Sequence, residues 1–400
     1  MAETTSDLKM QRDPWNAFIS LQTFKSSVKG IFSGLSFAIK DIIDVEGIRT
    51  TAGSFILEKN VARSNATIVS RILDLGGTIV GKANTDEFAM DVTNLTSYYG
   101  PCLNPFDKKK ICGGSSGGSA AAVSTGLADV GIGTDTGGST RIPGSLCGVF
   151  GFKPTTGSIP TSGVIPFSRT LDTIGILSRD ISTTRTAFKG LVEGPPSTDK
   201  RRIELKNLRV GFFSSSDSKQ SKFFRDEVSD VFPNTIELDF DGFLERGFKI
   251  RRTIVAKEGA DYHTSNFSDK MDLYHPQVRK FIEIGRKITE EEYVDAIEKS
   301  GEIKSDYEEV FKEVDIILCP TTEISAPSID EVKHSPDYYR ELLVRNTGFF
   351  NVVKAPSISI PVHFDGNLPI GLMVSSIENK DLDLLNYAEK IYNKIRVKRS

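Results

Sequence analysis

Four hundred residues with 38% hydrophobic, 9% aromatic and 26% charged side chains can bury a sizeable core, which excludes a disordered or fibrous chain. Fifty Lys and Arg against 53 Asp and Glu leave a net charge of −3 with both signs interspersed, so no basic face calls for nucleic acid and no acidic tract for a cationic partner. No apolar run approaches the ~18 residues of a membrane span and Met1 to Met10 is too polar for a signal peptide, so no membrane association is expected and the cytoplasm is the expected compartment.

In chain order, residues 1–30 read as an N-terminal arm in which Trp15 to Ile19 is the first segment able to anchor to a core. Leu35 to Ile43 is a β-branched apolar run with a lysine inside it, Phe37-Ala38-Ile39-Lys40-Asp41, and predicts a strand with a charge near its end. Asn65 to Leu75 has helical spacing (Ile68, Val69, Ile72, Leu75), stops at Gly76-Gly77 and leads into the strand Thr78-Ile79-Val80. Nine glycines and five serines fall in the 27 residues from Gly113 to Ser139, yet the apolar middle Ala120-Ala121-Ala122-Val123 is not a flexible linker. This stretch predicts a Gly/Ser loop at 113–118, a small-residue helix to about Thr125, a strand at 129–133 and a second Gly loop at 136–139.

Glu193 to Asn207 reads as a polar insertion within a single domain at 31–395. Beyond it strands are predicted at 208–213, 235–240, 315–319, 356–362 and 369–375, with helices near 221–232, 242–261, 289–313 and 381–395. The interleaving predicts an α/β fold, a central mixed twisted sheet covered on both faces by helices. Cys102, Cys112, Cys147 and Cys319 are irregularly spaced with no Cys-x-x-Cys, so buried free thiols are expected, with no zinc site and no disulfide framework.

The glycine loops admit several chemistries. A phosphate cradle needs Gly-Lys-Ser/Thr, and neither loop is followed by lysine; a G-x-G-x-x-G from Gly131 fails at Thr136. Gly114-Ser115-Ser116-Gly117-Gly118 matches G-x-S-x-G and would make Ser116 an esterase nucleophile, but the charged Asp107 to Lys110 precedes it where that elbow needs an apolar strand. His263, His275, His334 and His363 have no accompanying triad signature and read as surface or satisfied structural residues.

Taken together, Phe37 to Asp41, the run Gly113 to Ala122, Gly133-Thr134-Asp135-Thr136-Gly137-Gly138-Ser139-Thr140-Arg141-Ile142-Pro143 and Gly151-Phe152-Lys153-Pro154-Thr155 resemble the amidase signature family, with weaker likeness continuing to about residue 395. The resemblance implies an amidase signature fold and a hydrolase that cleaves a small-molecule carboxylic amide to acid and ammonia. It implies a Ser-Ser-Lys triad of the nucleophile Ser139, the bridging Ser115 held by a cis peptide bond, and the base Lys40, with the amides of Thr136, Gly137, Gly138 and Ser139 as an oxyanion hole. No cofactor and no metal is implied, and a homodimer is compatible with the reading.

The residues are consistent with that chemistry. A lysine with its ordinary pKa of ~10.4 is charged at neutral pH, so burial among Phe37, Ile39 and Ile42 is expected to favour the neutral amine. Asp41 falls on the opposite side of the strand and need not pair with Lys40. Asp135 and Arg141 read as a structural pair fixing the second loop, and Thr136 as contributing its amide rather than its hydroxyl. Within the family the rival reading is the A subunit of glutamyl-tRNA(Gln) amidotransferase, which liberates ammonia from glutamine for tRNA-bound glutamate. Asp86-Glu87-Phe88-Ala89-Met90 leans that way, whereas Ile142 and Lys257 to His263 look like the stand-alone hydrolases. A catalytically inactive scaffold with the same fold is the reading from another class. Cys112 before Gly113-Gly114, where proline is common, is a departure from the family pattern.

Overall fold

The computed structural model describes residues 13–194, 204–214 and 218–397, so most of the insertion at 193–207 lies outside the described residues. Its strands are β1 (Phe18–Lys25), β2 (Ser36–Lys40), β3 (Thr78–Ala83), β4 (Val130–Asp135), β5 (Phe150–Lys153), β6 (Thr173–Ser178), β7 (Val210–Phe212), β8 (Ile236–Glu237), β9 (Ile316–Pro320), β10 (Ser357–Asp365) and β11 (Leu368–Ser375). They form one 11-stranded sheet in the order β1-β3-β2-β4-β6-β5-β10-β11-β9-β7-β8. β2 runs parallel to both β3 and β4, and β7 to both β8 and β9, while the remaining pairs are antiparallel, so the sheet is mixed. Among the described residues there are twelve α-helices: α1 (Thr67–Asp74), α2 (Gly117–Ser124), α3 (Arg141–Leu146), α4 (Ile181–Leu191), α5 (Lys219–Val231), α6 (Asp241–Phe267), α7 (Pro276–Gly285), α8 (Glu290–Val310), α9 (Ile329–His334), α10 (Pro336–Val344), α11 (Phe349–Val352) and α12 (Asp381–Val397).

Strand alternation distributes these helices over both faces, because successive side chains of one strand enter different cores. On β2, Phe37 and Ile39 pack with Ile68 and Ile72 of α1 and Phe188 of α4, whereas Ala38 packs with Ala120, Ala121 and Ala122 of α2. On β9 and β11, Ile316, Leu318, Leu372 and Val374 lie on the first side, and Ile317, Cys319 and Met373 join Phe349 and Phe350 of α11 on the other. The fold is thus the α/β sandwich that the interleaving predicts.

Several boundaries differ from the sequence reading. Residues 18–25, inside the stretch read as an arm, pair antiparallel with β3 as the edge strand β1. The strand expected at 235–240 shrinks to Ile236–Glu237, an exposed edge pair with no core to bury against. β5 and β6, which pair with each other, are buried along their whole length, so they lack the polar alternation that marks a half-exposed strand. All four cysteines are free and buried.

Candidate active site

β2 and β4 are adjacent and parallel, so their C-terminal ends meet at the same edge of the sheet. Ile39 is in register with Ile132, which brings the following lysine level with Gly133 and next to Thr134. Lys40 is fully buried, and its Nζ lies 2.7 Å from Ser115 Oγ and 2.8 Å from Thr134 Oγ1. The alternation that sends Phe37 and Ile39 to the opposite core corrects the expectation that those residues desolvate Lys40, for its head group lies on the side of Ala38 and α2. Asp41 does turn away, as alternation requires, and pairs with Lys82 at 3.2 Å.

Burial pulls the Lys40 ammonium down to about 7, a loss that the charges of Asp86, Asp172 and Asp135 only partly oppose. The amine is therefore divided between its charged and neutral forms near neutrality. Asp86 is itself pushed up to about 7, by burial first and by the charge of Asp91 second, against the hydrogen bonds it accepts from Asn94 and Thr96. Asp172 is raised to about 6 by burial.

Ser115 stands in the loop before α2, after a cis Gly114–Ser115 peptide bond. A Cβ on Gly114 would strike Asp86 Oδ2, so only glycine lets the loop pass that carboxyl. Ser116 is structural: it precedes α2, its hydroxyl donates to the Thr134 carbonyl at 3.1 Å, and its amide donates to the Ser139 carbonyl at 3.0 Å. These bonds tie the two glycine loops together.

Ser139 opens the turn into α3 and is 5% exposed. No hydrogen bond joins it to Ser115 or any other side chain among the described residues. The loop before it is shaped by Asp135, whose carboxylate accepts from Arg141 Nη2 at 2.7 Å, Arg141 Nε at 3.0 Å, the Gly138 amide at 2.8 Å and the Thr140 amide at 3.1 Å. Burial alone would raise Asp135, but the charge and hydrogen bonds of Arg141 outweigh it and hold the carboxyl well below the usual carboxylate range. The pair is structural, as read from the sequence. Arg141→Met, which strands a buried carboxylate, is expected to cost about 3–5 kcal/mol of folding stability, measured by urea unfolding.

The four amides expected to face an oxyanion are thus not equivalent. That of Gly138 is taken by Asp135, while those of Thr136, Gly137 and Ser139 have no acceptor among the described residues. The Thr136 hydroxyl donates to Asp172 at 2.6 Å, which leaves only its amide available. Gly138 has φ +130°, and a Cβ there would run into Thr347 Oγ1, whose hydroxyl donates to the Gly137 carbonyl at 2.6 Å. Gly138→Ala is therefore expected to displace the loop and to reduce turnover more than affinity, as separate kcat and KM measurements would record.

Sequence reasoning missed Thr134, Asp86, Asp172 and Thr347. Thr134 lies within a run that carries the resemblance and Asp86 within the segment that leans toward the amidotransferase subunit, but nothing local marks their side chains as facing Lys40. The segment Lys257 to His263 belongs to α6, where Glu258 accepts from Ser168, Thr170 and, at 2.7 Å, Tyr293, fastening the helix to the loop that leads to Asp172. His263 is buried and hydrogen-bonded to Tyr274 OH at 2.6 Å, and His275 caps α7; both are structural. Among the described residues no cluster of His, Cys, Asp and Glu is arranged to hold a metal ion, and no helix is long and apolar enough to cross a membrane.

The site thus sets a buried lysine against one serine, with a second serine after two glycines on the adjoining loop. The chain belongs to the amidase family, whose model matches residues 17–238 and 227–385, and it is an enzyme of carboxylic amide C–N bond hydrolysis. It is 32% identical over 435 aligned positions to the A subunit of glutamyl-tRNA(Gln) amidotransferase from Saccharolobus solfataricus, covering 95% of this chain and 90% of that one. The crystal structure of the A subunit from Thermotoga maritima superposes with a TM-score of 0.79 at 30% identity, over 95% of this chain and 87% of that one. A protein from a vestigial complex linked to the origins of an s-triazine catabolic enzyme superposes with a TM-score of 0.82 at 27% identity, over 92% and 85% of the two chains.

Proposed function

We propose that this chain releases ammonia from a small carboxylic amide through an acyl-ester on Ser139. The observation that carries the proposal is the Lys40 amine, poised at about 7 and 2.7 Å from Ser115 Oγ. In its neutral form Nζ accepts the Ser115 proton, Ser115 accepts the Ser139 proton, and Ser139 Oγ attacks the amide carbon. The contact between Ser115 and Ser139 closes when substrate fills the loop, as catalytic hydrogen bonds commonly do. The amides of Thr136, Gly137 and Ser139 receive the developing negative charge, and Gly138 acts by keeping the loop in shape through Asp135. The proton returns through Ser115 to the departing nitrogen, ammonia leaves, and water hydrolyses the ester along the same relay. The reaction needs no cofactor or metal, and we place it in the cytoplasm, in line with the four free cysteines.

Two modes of using the ammonia are open to this chemistry. A stand-alone hydrolase releases it, which the sequence of Lys257 to His263 favours. The A subunit of an amidotransferase passes it to a partner, and that reading is favoured by eight curated relatives at 29–34% identity, each of them the A subunit of a glutamyl-tRNA(Gln) amidotransferase. Because these relatives match over almost the whole chain, they outweigh Ile142 and one seven-residue segment. The experiment is ammonia release by the purified chain from a panel of aliphatic and aromatic amides and from glutamine, without ATP or tRNA. Turnover of simple amides by the isolated chain supports the hydrolase, whether monomer or homodimer. Inertness relieved on glutamine by a partner protein supports the amidotransferase, and inertness throughout leaves the scaffold reading.

A further inference from the structure

Helix α10 is joined to the loop ahead of the active site by one ion pair. The guanidinium of Arg340 grips the carboxylate of Asp91 with two prongs, Nε to Oδ1 at 2.9 Å and Nη2 to Oδ2 at 3.3 Å. A forked contact of this kind fixes direction as well as distance. Asp91 is buried and Arg340 half-buried, and Nη1 of Arg340 is held at 2.6 Å by Asp337 of the same helix. The Asp91 carboxylate also accepts from the Val92 amide at 2.7 Å and the Thr93 hydroxyl at 3.1 Å. Asp86 takes the next part of the loop, accepting from the Asn94 amide at 2.9 Å and from the Thr96 amide and hydroxyl at 3.3 and 2.9 Å. Val92 and Leu95 pack in one cluster with Leu343 and Val344 of α10 and Ile142 and Leu146 of α3. Residues 91–96 in turn hold the serine loop. The Val92 carbonyl accepts from the Gly114 amide at 2.7 Å, and a Cβ on Gly114 would stand 2.8 Å from the Asn94 amide nitrogen and 3.0 Å from that of Thr93. The two loops therefore meet backbone to backbone, directly before Ser115.

We infer that Arg340 is a positioning residue for the proton relay: by clamping Asp91 it fixes residues 91–96 against Gly114, and so holds Ser115 Oγ within reach of Lys40. Arg340 touches none of the reacting atoms, and α10 contributes no side chain to the relay. Arg340 lies 249 residues beyond Asp91, so only the packing of α10 brings the two together. A tether that merely docked α10 would lower stability without singling out the serine loop. The inference rests on the relay through Ser115, and it adds a determinant of the geometry of that relay.

The test compares Arg340→Met and Arg340→Lys with the wild-type chain, with its partner protein present if turnover needs one. Hydrogen exchange, read by peptide mass spectrometry, should quicken in Arg340→Met by about 10- to 100-fold over 92–96 and 113–116, the range set by loss of a charged hydrogen-bonded pair. β10 and β11 should exchange as in the wild type. On the amide that the wild type turns over best, Arg340→Met should lose about 10- to 100-fold in kcat with KM within about threefold, because a small displacement of a reacting group costs that much. Arg340→Lys, which keeps the charge but not the fork, should recover part of both effects. Unchanged exchange at 113–116, or faster exchange there with unchanged kcat, overturns the positioning role while leaving amide hydrolysis intact. Exchange that quickens equally in β10 and β11 also overturns it, since the pair then acts on the whole fold. If the wild type turns over no amide, the proposed reaction fails and exchange decides the clamp alone: quickening confined to 92–96 and 113–116 sustains it, and its absence removes it. Should Arg340→Met not fold, Asp91→Asn, which keeps an acceptor for Val92 and Thr93 but loses the charge, is read by the same measurements and judged in the same way.

Discussion

Ser139→Ala is expected to lower kcat by on the order of 10⁴–10⁶-fold, the loss that follows removal of an attacking hydroxyl. The side chain it removes forms no hydrogen bond among the described residues, so the substitution should leave the urea midpoint close to that of the wild type. A fluorophosphonate should label Ser139 and no other serine, read by peptide mass spectrometry. Ser116 is the informative control, since it lies in a G-x-S-x-G sequence while its hydroxyl is occupied by the Thr134 carbonyl. Ser116→Ala should weaken the link between the two loops, and with it stability, while the label still goes to Ser139. Modification of Ser116 in the wild-type chain would transfer the nucleophile to the elbow reading.

Lys40→Ala carries the second large effect. Loss of the proton acceptor is expected to reduce kcat by ~10²–10⁴-fold, and activity that stays within about tenfold of wild type would remove Lys40 from the mechanism. The pH profile supplies a readout that a structural role would not move. Burial lowers Lys40 to about 7, so the neutral, proton-accepting form predominates above that value and is lost below it. The wild-type kcat/KM should therefore fall as pH drops through about 7, a limb that Lys40→Ala lacks. Asp86 opposes the lowering by its charge. Asp86→Asn should accordingly move the limb to lower pH, because the amine then gives up its proton more readily. A limb unmoved by Asp86→Asn and still present in Lys40→Ala would assign the titration to another group.

Much of this arrangement is dictated by local sequence. The β-branched run around Lys40 specifies a strand, the glycines and alanines of 113–123 specify a loop and a helix that pack closely, and the Gly137-Gly138 pair specifies a bend that a side chain would block. Those properties belong to short segments, so they can be read without knowing what lies opposite. The tertiary structure alone decided the rest. Pairing of β2 with β4, not the neighbours Phe37 and Ile39, puts Lys40 against Ser115 and Thr134, which lie 75 and 94 residues further along the chain. Asp86 and Asp172, which oppose its desolvation, arrive from two other loops. Asp135 takes the Gly138 amide and so separates one loop amide from its three neighbours. Arg251 of α6 comes close to Gly137 and Gly348, where only glycine leaves room for its guanidinium. Electrostatic shifts and hydrogen-bond occupancy depend on distances between segments remote in sequence. Periodicity and composition carry no record of those distances; strand order and helix packing fix them.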